Sequence, residues 1–288
     1  MVEVDKYNSY LELLSKTYEE AVIFLLQKYG PAQDDYFREK SYQRFLNGEI
    51  KSITKGKTTR TNEGLYCHHI DENKWLKASD KEFVRKYQIP FESQRKDRLI
   101  YCDLIEHSIL HVLIAKETSL EFGNPGFMAY LRPDIEIWYL DKEVPHIEWE
   151  KNCYNKSFLI PQEAFGILKE MQRIIGGSYF STLFDYYEEK RKQEEERKTW
   201  LQSLKQNRIA DREKWIERTK KLHSKSPRNE IIAASYSIRI EYKDLARVFI
   251  RNSLTTREEY ISEMKKYTKE KILDDLLIYI ENLPEIVD

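Results

Sequence analysis

Apolar side chains at Tyr10, Leu11, Leu14, Tyr18, Ala21, Val22, Leu25 and Leu26 recur at helical spacing, so residues 6–29 read as a helix with one buried face. Gly30-Pro31 stops it. A second helix is expected over about 34–47, ahead of Gly48. The texture changes after residue 60. Gly64–His69 is short and apolar-aromatic, as a strand would be, and Arg98–Cys102 reads as a second strand. The polar stretch between them has room for a small helix near 80–87. Asp103 then opens a helix running to about Lys116. An N-cap acceptor and Glu106 three residues on form a capping-box pattern, and Leu104, Ile105, Ile109, Leu110, Val112 and Leu113 give it a largely buried surface.

Residues 122–161 hold Pro125, Pro133, Pro145 and Pro161, and read as an irregular connection with a short helix near 133–141. Gln162–Ile175 is helical and ends at Gly176-Gly177. From about 180 to 222 the chain has no Gly or Pro and is dense in charge, with 12 basic and 9 acidic residues between Asp185 and Lys221. That is a helix of ~40 residues, or ~60 Å at 1.5 Å per residue. Its apolar seam (Trp200, Leu201, Leu204, Trp215, Leu222) is interrupted, which suits a solvated spacer or a homo-oligomerising arm better than a sustained coiled coil. Ser226-Pro227 breaks it, and the last 60 or so residues read as helices with one strand at Tyr236–Tyr242. The expected fold is mainly α with a small β component. The expected segments are 1–50 helical, 51–120 a small mixed module, 121–180 an irregular and helical connection, 181–225 the long helix, and 226–288 helical.

Composition narrows the class. With 41% hydrophobic and 13% aromatic residues the 288-residue chain can bury a core, and 9 Gly and 8 Pro exclude collagen-like or low-complexity character. Three cysteines (67, 102, 153) are too few for a disulfide framework, which points to a reducing, cytoplasmic setting. No stretch approaches the ~18 apolar residues of a membrane span, and the first residues carry no signal-peptide pattern. The net charge of −1 neither supports nor excludes nucleic acid, since local distribution decides that.

Four of the six histidines fall within a 44-residue window. His107 and His111, at i and i+4, put two imidazoles on one helix face, able to share a metal. His68 and His69 are neighbours at a strand end and point to opposite sides, so one can join the metal while the other faces a substrate. Cys67 and Cys102 lack the second ligand pair of a structural zinc site and read as buried thiols.

The run Tyr66-Cys-His68-His69-Ile-Asp, followed by Arg98-Leu-Ile-Tyr-Cys-Asp-Leu-Ile-Glu-His107-Ser-Ile-Leu-His111, resembles the HNH endonucleases, whose fold is a ββα-metal module. The resemblance covers about residues 60–117. It implies that His68, His107 and His111 bind a divalent metal and that His69 is the general base of phosphodiester hydrolysis. Imidazole, with an ordinary pKa of ~6.5, can take a proton from water near pH 7. Three nitrogens favour Zn²⁺ or Ni²⁺ by ligand type, while the family often works with Mg²⁺ or Mn²⁺. Asp71 or Asp103 could add an oxygen ligand, although Asp103 is more simply the N-cap. The family usually has an Asn nine residues before the first helix histidine, where it fixes the base-bearing loop. Here Arg98 takes that catalytic position, and Asp97, Gln94 and Asn73 of the inserted loop are candidates for the job.

DNA is the expected partner. Lys51, Lys55, Lys57 and Arg60 precede the first strand, and Arg95 and Lys96 precede the second; such residues give phosphate affinity without sequence information. The reading is a restriction, homing, phage or defence nuclease. Its rivals are a non-catalytic, metal-stabilised assembly protein with a decayed site, and an RNA-directed nuclease.

Overall fold

The computed structural model describes residues 6–221. It is mainly helical with one two-stranded antiparallel sheet, as the hydrophobic pattern predicts. The stripe over 6–29 is divided into α1 (Lys6–Leu14) and α2 (Tyr18–Tyr29). Thr17 causes the break. Its side chain accepts from the Glu20 amide while the Glu20 carboxylate accepts from the Thr17 amide, a reciprocal cap that holds Thr17 extended. Helix α3 (Glu39–Leu46) begins later than the spacing predicts. Asp34 accepts from the Lys57 amide at 2.7 Å and Phe37 bridges Lys55, so the expected first turn is extended instead.

Strands β1 (Tyr66–His69) and β2 (Leu99–Cys102) pair with His68 opposite Ile100 and His69 opposite Leu99. Alternation gives each face its own partners. Ile100 and Cys102 join the main core, whereas Leu99 and Tyr101 form a separate small cluster with Ala32 and Leu65. The segment between the strands contains α4 (Lys81–Tyr87), whose N-cap Asp80 accepts from the Glu82 and Phe83 amides.

Helix α5 (Leu104–Glu117) follows β2 directly, and eleven of its fourteen residues are buried. The expected capping box is present: Asp103 accepts from the Glu106 amide at 2.9 Å and Glu106 from the Asp103 amide at 2.8 Å. From α1, Tyr10 donates to Asp103 at 2.7 Å, and from α2, Lys28 pairs with Glu106 at 2.5 Å. Burial, with Glu106 adding repulsion, pushes the Asp103 carboxyl up to about 7. The N-terminal helices thus anchor the start of α5.

After α5 the chain is more helical than its prolines suggest. Residues 124–140 are continuously helical, with π-helical stretches at Phe127–Leu131 and Glu136–Leu140 flanking Arg132–Ile135. Pro125 sits in a first turn, where its missing N–H goes unmissed. The wider turns around Pro133 absorb the bond it cannot donate. Glu148–Lys156 is a further helix that the sequence pattern does not predict, and Pro161–Ile174 is the expected one. The long helix, Leu183–Lys221, has 39 residues.

The described residues up to Tyr187 form one compact unit, and a second begins at Glu188. In the first, the central core joins α1, α2, β2, α5, the 124–140 run and Pro161–Ile174, so the small mixed module shares its core with the flanking helices. The strand expected at Tyr236–Tyr242, the segment 226–288, and Leu222 of the expected apolar seam lie outside the described residues. Among the described residues, no helix is long and apolar enough to cross a membrane.

Candidate metal centre

His68 leaves β1 on the α5 side of the sheet, where His107 and His111 stand one turn apart. Their ring centres are 4.9–5.4 Å from one another. One nitrogen from each lies within 4.8 Å of the others, so the three could bind a single metal ion. The strand period and the helix period bring together the three histidines that the sequence proposes.

What points those nitrogens inward lies outside the ββα segment. Tyr18 of α2, only 4% exposed, donates its hydroxyl hydrogen to the Ile70 carbonyl at 2.8 Å. Its oxygen can then only accept from His68 Nε2, 3.0 Å away, which fixes the proton there and leaves the Nδ1 lone pair free. His111 Nδ1 lies 3.1 Å from the Gly123 carbonyl and must donate to it, leaving Nε2 free. Gly126 lets the chain pass this close, because a Cβ there would fall 2.6 Å from His111 Cε1. His68 Nδ1 and His107 Nδ1 are buried without a hydrogen-bond partner. Two orphaned ring nitrogens in one cluster are a costly arrangement for a protein interior, and one that fits a bound cation.

The electrostatics agree. Burial pushes His68 down to about 3 and, with the neighbouring imidazoles, His107 well below the ordinary range, so both are neutral, the form that ligates metal. Glu72 is the acid of the site. Its Oε2 is 3.2 Å from His111 Nε2 and 3.8 Å from His68 Nδ1, and its Oε1 is 3.7 Å from His69 Nδ1. Burial alone would raise its pKa, but the surrounding imidazoles hold it well below the carboxylate range. The Glu72 carboxylate, held ionised, brings negative charge to the centre.

The expected oxygen ligands are corrected accordingly. Asp71 is turned away to Arg98, whose Nε and Nη2 donate at 3.1 and 2.5 Å, and to Lys74 at 3.1 Å. Burial would raise Asp71, yet these bonds hold it at about 2. Arg98 therefore pins the short turn Ile70–Asn73, which carries Glu72. Asp103 is the N-cap of α5.

His69 points to the other face of β1, packing on Tyr36 at 4.5 Å between ring centres. Of the three candidates for holding it, Gln94 is the one that reaches it. Gln94 Nε2 donates to the Ala78 carbonyl at 2.9 Å, which turns Oε1 toward His69 Nε2 at 3.1 Å. His69 Nε2 is thus the donor, and Nδ1 keeps its lone pair.

A cavity of about 510 Å³ opens on this cluster, lined by His69, Glu72, His107 and His111 on one side. The inserted segment and the 124–140 run supply the other walls. Lys51, Lys55, Lys57, Arg95 and Lys96 are exposed and do not line the cavity. Arg60 is committed to Glu63 and the Tyr29 carbonyl. The cation on the cavity wall is Lys77. All three cysteines are free thiols, and burial raises Cys67 to about 12.

Sequence reasoning misses Tyr18, Gly123 and Gly126, and it selects Asp71 over its neighbour Glu72. No local pattern marks the first three, since each acts across the fold. No protein-family model matches the chain, and neither does a curated protein or a solved structure.

Proposed function

We propose that this chain is a metal-dependent endonuclease that hydrolyses DNA phosphodiester bonds with His69 as general base. One observation carries the reading. Three imidazole nitrogens converge from a β-β-α unit whose histidines include two buried ring nitrogens without a hydrogen-bond partner, while the adjacent His69 lines the same cavity from the opposite face of the strand. The resemblance to HNH nucleases rests on these same residues.

His68, His107 and His111 would hold the ion, with Glu72 beside them. The three nitrogens suit Zn²⁺ or Ni²⁺, and the resemblance adds Mg²⁺ and Mn²⁺. The chemistry a divalent ion supplies when bound to such a triad is Lewis-acid stabilisation of charge on the phosphate and leaving oxygen. The remaining work belongs to the chain. His69 Nδ1 takes the proton of the attacking water, Gln94 keeps the ring in the tautomer that can do so, and Glu72, 3.7 Å away, favours the imidazolium that results. Arg98 positions Glu72 through Asp71 rather than touching substrate. The exposed Lys51, Lys55, Lys57, Arg95 and Lys96 would meet phosphates away from the cut.

The test is supercoiled plasmid incubated with the protein in EDTA, Mg²⁺, Mn²⁺, Ni²⁺ or Zn²⁺, beside the His69→Ala protein. The expected result is metal-dependent nicking or cutting that His69→Ala abolishes while still binding metal. Cleavage that persists in His69→Ala overturns the base assignment. Metal binding without cleavage of any nucleic acid favours a structural metal.

A further inference from the structure

The excursion between the strands has more structure than a connection needs. It folds over the histidine cluster and supplies Trp75, Leu76 and Phe83 to one wall of the 510 Å³ cavity, while Tyr130 and Leu131 of a π-helical stretch supply another. Wide π turns are rare and concentrate at functional sites. Tyr130 is 57% exposed, far more than the rings of the core.

Lys77 marks the spot. Its ammonium lies 5.0 Å from the centre of the Phe83 ring, 5.6 Å from that of Tyr130, and 3.5 Å from the Tyr130 hydroxyl. Two aromatic rings therefore flank one cation beside the metal centre. Lys77 is held at φ 50°, a left-handed conformation that a lysine rarely adopts. It is the one cation on the cavity wall among the described residues. The acid nearby, Asp80, is occupied at the start of α4, where two amides bind it.

Rings of this kind bind the flat face of a base, and a cation beside them binds the phosphate attached to it. A base paired within a duplex has both faces covered by its neighbours and offers only its edges. An unpaired nucleotide can enter such a slot; a continuous duplex cannot. Resting on the nuclease reading for the position of the scissile phosphate, we propose that the cavity takes an unpaired nucleotide. Its base takes the ring faces of Tyr130 and Phe83 that Lys77 now covers, and the displaced Lys77 ammonium pairs with a flanking phosphate, so the strand that is cut is single-stranded at the site.

The experiment measures binding separately from cutting. Full-length His69→Ala protein is titrated by fluorescence anisotropy against labelled oligodeoxythymidine, labelled oligouridine, and the oligodeoxythymidine annealed to its complement. At least one unpaired strand should bind about tenfold or more tighter than the duplex, the range expected of base–aromatic stacking. Tyr130→Ala and Phe83→Leu should each weaken that binding about tenfold, while Tyr130→Phe, which keeps the ring, should not. Duplex binding equal to single-strand binding overturns the proposal, as does unchanged single-strand binding by Tyr130→Ala. Cleavage by the wild-type background separates the two readings. Single strands that bind as expected but are never cut leave the slot standing and remove the nuclease. Duplex and single strands cut alike by wild type and Tyr130→Ala leave the nuclease and remove the slot.

Discussion

The hydroxyl of Tyr18 does not line the cavity, yet it holds the His68 tautomer on which metal binding by the cluster would depend. In Tyr18→Phe, His68 Nε2–H and the Ile70 carbonyl both lose their partner. Two buried polar groups left unsatisfied cost on the order of 2–4 kcal/mol of stability. The larger consequence is the tautomer. Without an acceptor at Nε2, the His68 proton can move to Nδ1, toward Glu72 at 3.8 Å, and that removes the lone pair a metal would use. Loss of such an outer partner weakens metal affinity about 10- to 100-fold, or ~1.4–2.7 kcal/mol. The assay is competition for Zn²⁺ or Co²⁺ against a chromophoric chelator, with wild type, Tyr18→Phe, His68→Ala and the double variant. In the His68→Ala background, Tyr18→Phe should leave affinity unchanged, because the ring it serves is gone. A coupling below ~0.5 kcal/mol between the two sites would refute the reasoning, since additive effects mean that Tyr18 does not act through His68.

Gly126→Ala should weaken metal binding about 10- to 100-fold by displacing His111, and the clash (~1–3 kcal/mol) should outweigh the ~1 kcal/mol helix-propensity gain; unchanged affinity with a higher melting temperature would contradict this. On the nuclease reading proposed above, Gln94→Ala should slow cleavage about 10- to 100-fold, a part of what a general base contributes, with metal affinity nearly unchanged. Arg98→Ala should cost on the order of 1–2 kcal/mol near neutral pH, since Arg98 is partly open to water. Asp71 is depressed in the fold, so this contribution is present above ~4 and is lost as pH falls toward 2; a gap between wild type and variant in urea unfolding that ignores pH would argue against the pair.

What could be read from the sequence was set by short-range geometry. The i, i+4 spacing of His107 and His111, the opposite facing of His68 and His69, and the Asp103–Glu106 cap all follow from local periods, and all three are found. The break between α1 and α2 was also written locally, in Thr17 and Glu20, but the apolar stripe continues across it because both helices bury the same side. Pro125 points to irregular chain where helix forms, since a proline early in a helical turn leaves little unsatisfied, whereas the helix expected near 133–141 is found. The carboxylate was missed for a different reason. Asp71 and Glu72 are adjacent, and Asp71 turns away from the histidines to Lys74 and to Arg98, the latter 27 residues on. Tyr18 lies 50 residues before the ring it holds, beyond any pattern a window can see.

That separation bears on how such a site could be moved or copied. A fragment cut at 60–117 would carry every histidine of the centre and neither of the groups that set their tautomers. Tyr18 comes from upstream of it, and the Gly123 carbonyl from downstream. Grafted into another scaffold, the motif would keep its three histidines but lose the protonation pattern that would let them bind a metal. The transplantable unit is the wrapped assembly from α1 through the Pro161–Ile174 helix that closes its core. Shuffling the smaller piece between chains would disarm it unless the recipient supplied an acceptor for each of two N–H groups.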